Sequence, residues 1–480
     1  MERFNVRITN VEIENFKNVK YGNISMEGSL EKREPSILGL YGQNGSGKTA
    51  LIDTLNLLKH ILSGLTIPNY YGDYINVENE YSTIKYNFEI INEVSQEIRK
   101  LYYKCSIKKV SEEVDTLNGK KYEDRVQLFD EEIKYSFSSD EKNTIAKYAI
   151  TTKDFDIFGP KIRYDTLVGL DKTLETDLIV AKKLADKESS SFVFSLELIQ
   201  IIEKRLLHYR DNLGGQKKTD VFEISNLLLI LLVLKEFAFN RFFIVDMEDF
   251  GATCINMLPL VLRYLDGDKE KIESTFINLE KKNPFSVSQV KKINETISGM
   301  NIVLQEIIPG LTIEVKDLGA DVLDDGAEGR AIQLLSKKNA KAIPLRMESD
   351  GIKRIVSILQ LLIGMFNNQS ITIVIDELDI GIFEYMLGEL LEIISRRAKG
   401  QLIFTCHNLR PLETIDSKFI AFTTTDETNV YYRPKNIKKT HNLRDRYYRN
   451  IILHGEPRLY SKTSNQKIAF AFMEAGEDFE

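Results

Sequence analysis

Along the chain, apolar and polar positions change period several times, and each period predicts an element. Residues 6–11 and 11–16 carry β-branched and aromatic side chains and predict two short strands. The run Ser36-Ile37-Leu38-Gly39-Leu40-Tyr41 is apolar and ends at a glycine-rich turn, after which helix formers continue from 50 to 62. That is how a buried parallel strand feeding a helix reads. From 81 to about 137 the pattern alternates: Ile84, Tyr86, Phe88 and Ile90 share one face, as do Leu101, Tyr103, Cys105 and Ile107. Strict alternation predicts an antiparallel meander, with a turn at Asn118-Gly119.

From about 190 to 309 the period becomes helical, with expected helices at 194–209, 222–239, 254–265 and 287–308. None has heptads sustained long enough for an extended coiled coil. Strands resume at 311–315 and 330–335, and two apolar runs, 371–375 and 402–406, each end in polar residues. The resulting expectation is an α/β chain in three parts: an N-terminal lobe with an antiparallel β subdomain (1–155), a helical insertion (156–310) and a C-terminal lobe (311–480).

Composition narrows the classes. A hydrophobic share of 43% over 480 residues supplies a large core, and a net charge of -7 argues against a general nucleic-acid coat. Cys105, Cys254 and Cys406 are odd in number and far apart, so neither a disulfide framework nor a zinc knuckle is expected. The first ten residues lack an apolar signal core, and the longest aliphatic run, 227–234, falls far short of the ~20 residues of a membrane span. It reads as a buried helix, and the chain is expected in the cytoplasm with no membrane partner.

The chemistry begins at Gly42-Gln43-Asn44-Gly45-Ser46-Gly47-Lys48-Thr49, which fits G-x-x-x-x-G-K-[ST] at every fixed position. Glycines let the backbone curl so that its N–H groups point at phosphate oxygens. The following helix offers its positive end to the same anion. Lys48 supplies a point charge to the outer phosphates of ATP, and the Thr49 hydroxyl can ligate Mg²⁺. The run 371–375 ends in Asp376-Glu377: Asp376 is placed to hold the metal and Glu377 to polarise an attacking water. The run 402–406 ends at His407, which at this spacing can reach the terminal phosphate. Between the phosphate loop and Asp376, Ser349-Asp350-Gly351 opens an apolar helix, a second anion site if a phosphate is brought to it.

This order of phosphate loop, Ser-x-Gly helix start, Asp-Glu strand and His strand resembles the ABC-type ATPase family. The resemblance implies a P-loop NTPase of ABC-ATPase head type that works as at least a homodimer. Ser349, Asp350, Gly351 and Lys353 would then form a signature segment reaching the ATP of a second copy, and Asp379 a loop crossing the interface. The usual second signature glycine is Asp350 here, and no glutamine in the meander takes the place of the usual one beside the metal.

The opening Ile13-Glu14-Asn15-Phe16-Lys17-Asn18 is shared with SMC-type heads, which carry long coiled-coil arms where this chain has a compact insertion. The phrases 348–354, 376–385 and 405–413 look more like single-head ATPases of bacterial anti-phage defence, especially the PARIS type. That implies a separate effector nuclease or toxin held by the ATPase and a phage protein as trigger. The basic, aromatic tail from Tyr431 to Arg458 reads in two ways: a contact for DNA or an acidic protein, or Arg and Tyr stems packed on the core with solvated heads. The second is favoured, because no spacing defines a reader motif.

Overall fold

The computed structural model describes residues 4–477 apart from 117–118, 139–143, 170, 212–217, 247–250, 254, 267–268, 324, 339–340, 425–427, 435–442, 454–458 and 460–463. Two sheets organise it. The first is antiparallel, in the order β2-β1-β4-β5-β6-β7, from β1 (Phe4–Phe16), β2 (Val19–Ser25), β4 (Tyr81–Asn92), β5 (Ile98–Thr116), β6 (Gly119–Ser138) and β7 (Lys147–Thr151). The second has the order β18-β17-β3-β16-β15-β8, from β3 (Ser36–Tyr41), β8 (Phe242–Val245), β15 (Thr372–Ile375), β16 (Gln401–Thr405), β17 (Ile420–Thr423) and β18 (Tyr431–Tyr432). All of its pairings are parallel except β17 with β18.

The parallel sheet is buried on both faces, and the pleat divides its side chains between two cores. Leu38, Leu40, Val374, Ile403 and Ala421 face the core shared with the antiparallel sheet, α1 (Lys48–Ser63) and four helices: α2 (Lys161–Val168), α3 (Lys172–Lys187), α4 (Leu196–Asp211) and α5 (Lys218–Asn240). Ile37, Tyr41, Ile373, Ile375, Leu402 and Phe404 face the other core. That side holds α6 (Val287–Ile307), α7 (Asp350–Asn367), α8 (Glu384–Arg397), a hairpin of β9 (Met257–Asp266) and β10 (Lys269–Asn278), and a small sheet of β11 (Asn283–Phe285), β12 (Leu311–Val322), β13 (Glu328–Lys338) and β14 (Lys341–Pro344).

Two buried polar side chains join the sheets at the N-terminal edge of the parallel one. Gln401, in β16, donates from Nε2 to Ile8 O at 2.7 Å and accepts from Ile8 N at 3.1 Å. Ile8 stands where β1 breaks register with β4, so the side-chain amide replaces the ladder there. Arg7, 0% exposed, donates to the carbonyls of Glu34 and Lys399, each at 2.9 Å.

Strand β1 is one strand with an irregularity rather than two short strands. The meander forms as expected; Asn118 lies outside the described residues. The helix expected at 254–265 is not found: Cys254 lies outside the described residues, β9 (Met257–Asp266) pairs with β10 (Lys269–Asn278), and Leu258, Leu260 and Leu262 are buried at strand spacing. A continuous apolar run has no period to choose between helix and strand, and Pro259 disfavours a helix interior. Strand β8, also within 156–310, joins the central sheet, so this segment is not helical throughout: β8 and the β9–β10 hairpin interrupt it, with one short helical turn at 251–253 between them. The aliphatic run 227–234 lies within α5 as a core helix, and among the described residues no helix is long and apolar enough to cross a membrane.

Candidate functional site

Strands β3, β16 and β15 lie side by side, and their C-terminal ends carry the phosphate loop, His407 and Asp376-Glu377 respectively. The register sets Leu40 beside Thr405 and Phe404 beside Ile375, which brings the three segments to one edge. This is the edge at which open parallel sheets bind ligands.

Gly47 caps α1 with φ 99, a backbone state that glycine adopts without strain, and a Cβ there would meet Val19 at 2.9 Å. The Lys48 ammonium turns back onto the loop, donating to Gly42 O at 2.8 Å and Gln43 O at 3.1 Å. Its burial lowers its pKa, while Asp376, Glu377 and Asp379 oppose that fall. Those carboxylates, at and just after the end of β15 with β16 between it and β3, are close enough to act on the loop's cation. Thr49 is exposed at the mouth, and Asp376 is 3% exposed. A hydroxyl and a carboxylate beside a phosphate cradle suit the oxygen donors and partial hydration that Mg²⁺ prefers.

Thr405 organises the acids. Its hydroxyl donates to the Asp376 carboxylate and accepts from the Glu377 N–H at 2.8 Å. Glu377 has φ 49, a left-handed conformation rare for a residue with a Cβ. Asp379 turns back within its own chain: its carboxylate accepts from His407 N at 3.1 Å and Asn408 N at 2.8 Å. The acid expected at an interface thus fixes the loop that presents the exposed His407.

Ser349 caps α7, accepting from Ile352 N at 3.3 Å. Gly351 packs against Gly381 in the loop that follows Asp379. Lys353 is turned inward, pairing with Asp350 at 2.8 Å and donating to Asn256 Oδ1 at 3.2 Å. Its ammonium is therefore held by its own chain rather than presented outward with Ser349.

Several residues at the phosphate loop escaped the motif reading. Asn18 donates to Gly45 O, Ser46 and Thr423 share a hydroxyl hydrogen bond, and the Tyr431 hydroxyl donates to Gly47 O at 3.0 Å. Lys17 pairs with Asp53 and sits 3.8 Å above the Tyr74 ring. Their only sequence signal was the Phe16-Lys17-Asn18 stretch; Thr423 and Tyr431 arrive through sheet order. Tyr431 is 4% exposed, Tyr447 stacks on Phe422 at 4.9 Å and Arg444 pairs with Glu413 at 2.8 Å. Those tail stems pack on the body; Lys435, Lys438, Lys439 and Arg458 lie outside the described residues.

No family model matches the chain, and no curated protein does. Among solved structures it is similar to an SMC head domain with an extended coiled coil, bound to the C-terminal domain of ScpA, from Pyrococcus furiosus. That pair has 12% identity and a TM-score of 0.36 over 88% of this chain and 95% of that one. The SMC head domain from Thermotoga maritima gives 13% identity and a TM-score of 0.36 over 90% and 100%. The recombination mediator RecF gives 12% identity and a TM-score of 0.33 over 87% and 96%. These superpositions are loose, and the fold of the chain rests on its own strand order.

Proposed function

We propose that this chain binds and hydrolyses ATP as an ABC-type ATPase head, completing its site with a second copy. The observation that carries the reading is the convergence of Lys48, Asp376-Glu377 and His407 at the ends of three adjacent parallel strands. The loop 42–49 cradles the phosphates. Thr49 and Asp376 hold Mg²⁺, which neutralises charge on the transferred phosphoryl group. Glu377 orients the attacking water and His407 steadies it, with Thr405 and Asp379 holding these two in place. Ser349 and Gly351 of the second copy meet the terminal phosphate through a helix N-terminus.

In the cell we assign it the role of sensor and scaffold in an anti-phage complex. It holds a separate effector nuclease or toxin and releases it when a phage protein is sensed. The phrases around Ser349, Asp376 and His407 support this reading, as does the compact α2 to α5 region, where an SMC arm would be a coiled coil. The alternative is an SMC-like DNA-repair head.

Glu377→Gln should keep ATP binding and slow hydrolysis by ~10²-fold or more, and Lys48→Ala should abolish binding. Calorimetry and a phosphate-release assay check both; normal turnover in Glu377→Gln would refute its role. Native mass analysis of the protein from its operon with ATP separates the cellular readings. A large assembly with a neighbour-encoded nuclease supports the sensor, whereas an ATP-dependent dimer that retains DNA supports the repair head.

A further inference from the structure

At the opposite edge of the parallel sheet, below the starts of β3, β15 and β16, lies a groove of about 670 Å³. It is lined by Arg33, Arg396, Arg397 and Lys399, with Glu31 and Glu93 as its only carboxylates. Arg396 pairs with Glu392 at 2.6 Å; the other three cations make no ion pair among the described residues.

Two buried side chains stand behind and on this wall. Arg7 lies directly behind the wall, bonded to the carbonyls of Glu34 and Lys399, and neither bond goes to a carboxylate. The Glu89 and Glu34 carboxylates are close enough to act on its charge, so Arg7 anchors the wall through backbone carbonyls rather than adding a free charge to it. Asn5, on the wall itself, is 2% exposed, and its Nδ2 has no acceptor. A buried amide donor without a partner is destabilising, and a ligand oxygen bonded to it would relieve that cost. Leu30 and Ile91 are buried with Ile98 in a small separate apolar cluster that backs the groove, whose lining is otherwise mostly polar.

We propose that this groove is a second ligand site, distinct from the ATP site, for a phosphorylated small molecule of nucleotide size. The cations and the Asn5 amide take the phosphate, and the polar side chains of Gln96, Asn367 and Gln369 line the rest of the groove. The volume falls within the usual range for such ligands.

The test is calorimetry of 5′-AMP and, separately, inorganic phosphate against the full chain carrying Lys48→Ala, which disables the phosphate loop. We expect saturable AMP binding that weakens roughly tenfold or more when Arg397→Glu and Lys399→Glu are added, as lost cation–phosphate contacts dictate. Both substitutions are on exposed side chains, and an unchanged unfolding temperature confirms that the fold survives. Asn5→Asp provides an independent probe, expected to repel the phosphate. Absence of saturable AMP binding in the Lys48→Ala chain, or equal affinity in the charge-reversed chain, overturns the site. Neither result bears on hydrolysis at the phosphate loop, which is read separately from turnover.

Discussion

A Cβ placed on Gly351 would lie 2.0 Å from the carbonyl oxygen of Gly381. The start of α7 and the loop after the acidic pair therefore touch backbone to backbone, and whatever moves Ser349 moves the segment carrying Asp379. Gly351→Ala must push the two apart. We expect a loss of about 1–3 kcal/mol in stability, the usual cost of overpacking, read by urea denaturation. Turnover should also fall roughly tenfold, because the displaced loop misplaces Glu377 and His407. Unchanged stability and turnover would show that the contact relaxes freely.

Asp379 binds the amides of both His407 and Asn408 with one carboxylate. Asp379→Asn keeps an acceptor but removes the charge, and Asp379→Ala removes both. Steady-state hydrolysis should decline in the order wild type, Asn, Ala, with the Ala variant losing roughly tenfold or more in kcat. ATP affinity should change little, since Asp379 supports the presentation of His407 rather than the cradle. A loss confined to KM would place Asp379 in nucleotide binding instead.

Glu131 is buried between β6 and the segment before α4, accepting from Tyr103 at 2.9 Å, from Ser191 and from Val193 N at 3.4 Å. Burial raises its pKa from 4.5 to about 7, against the lowering effect of those hydrogen bonds. The folded state thus holds the proton more tightly than the unfolded one. The stability linked to that proton is complete below pH 4.5 and is lost as pH rises to about 7. Thermal melts should show a decline across that window that is absent in Glu131→Gln. An equal slope in both proteins would remove Glu131 as its source.

The phosphate loop, the acidic pair and His407 were legible because each sits at the end of a short apolar run, where strand and turn leave a local signal. Helices α2 and α3 fall in the stretch expected to be helical but are not among the helices placed in it, and strand β8 is unmarked because four residues after a long apolar helix leave no period of their own. The hairpin at 257–278 was misassigned because unbroken apolar sequence suits either element. Asn18, Thr423 and Tyr431 were invisible for another reason: they reach the loop through pairings distant in sequence. The inward turn of Lys353 depends on Asn256, a partner no motif contains.

Strand β3 has as its two neighbours β16 and β17, both drawn from the far end of the chain, and Gln401 reaches back 393 residues to grip Ile8. During synthesis the phosphate loop therefore emerges with no sheet to hold it, and the antiparallel sheet and helical layer can form long before its flanking strands exist. Long-range pairing of this kind makes its assembly a slow, late step. On the proposed function, ATP would then be a ligand of the finished molecule alone, stabilising completed chains by mass action and leaving incomplete ones untouched.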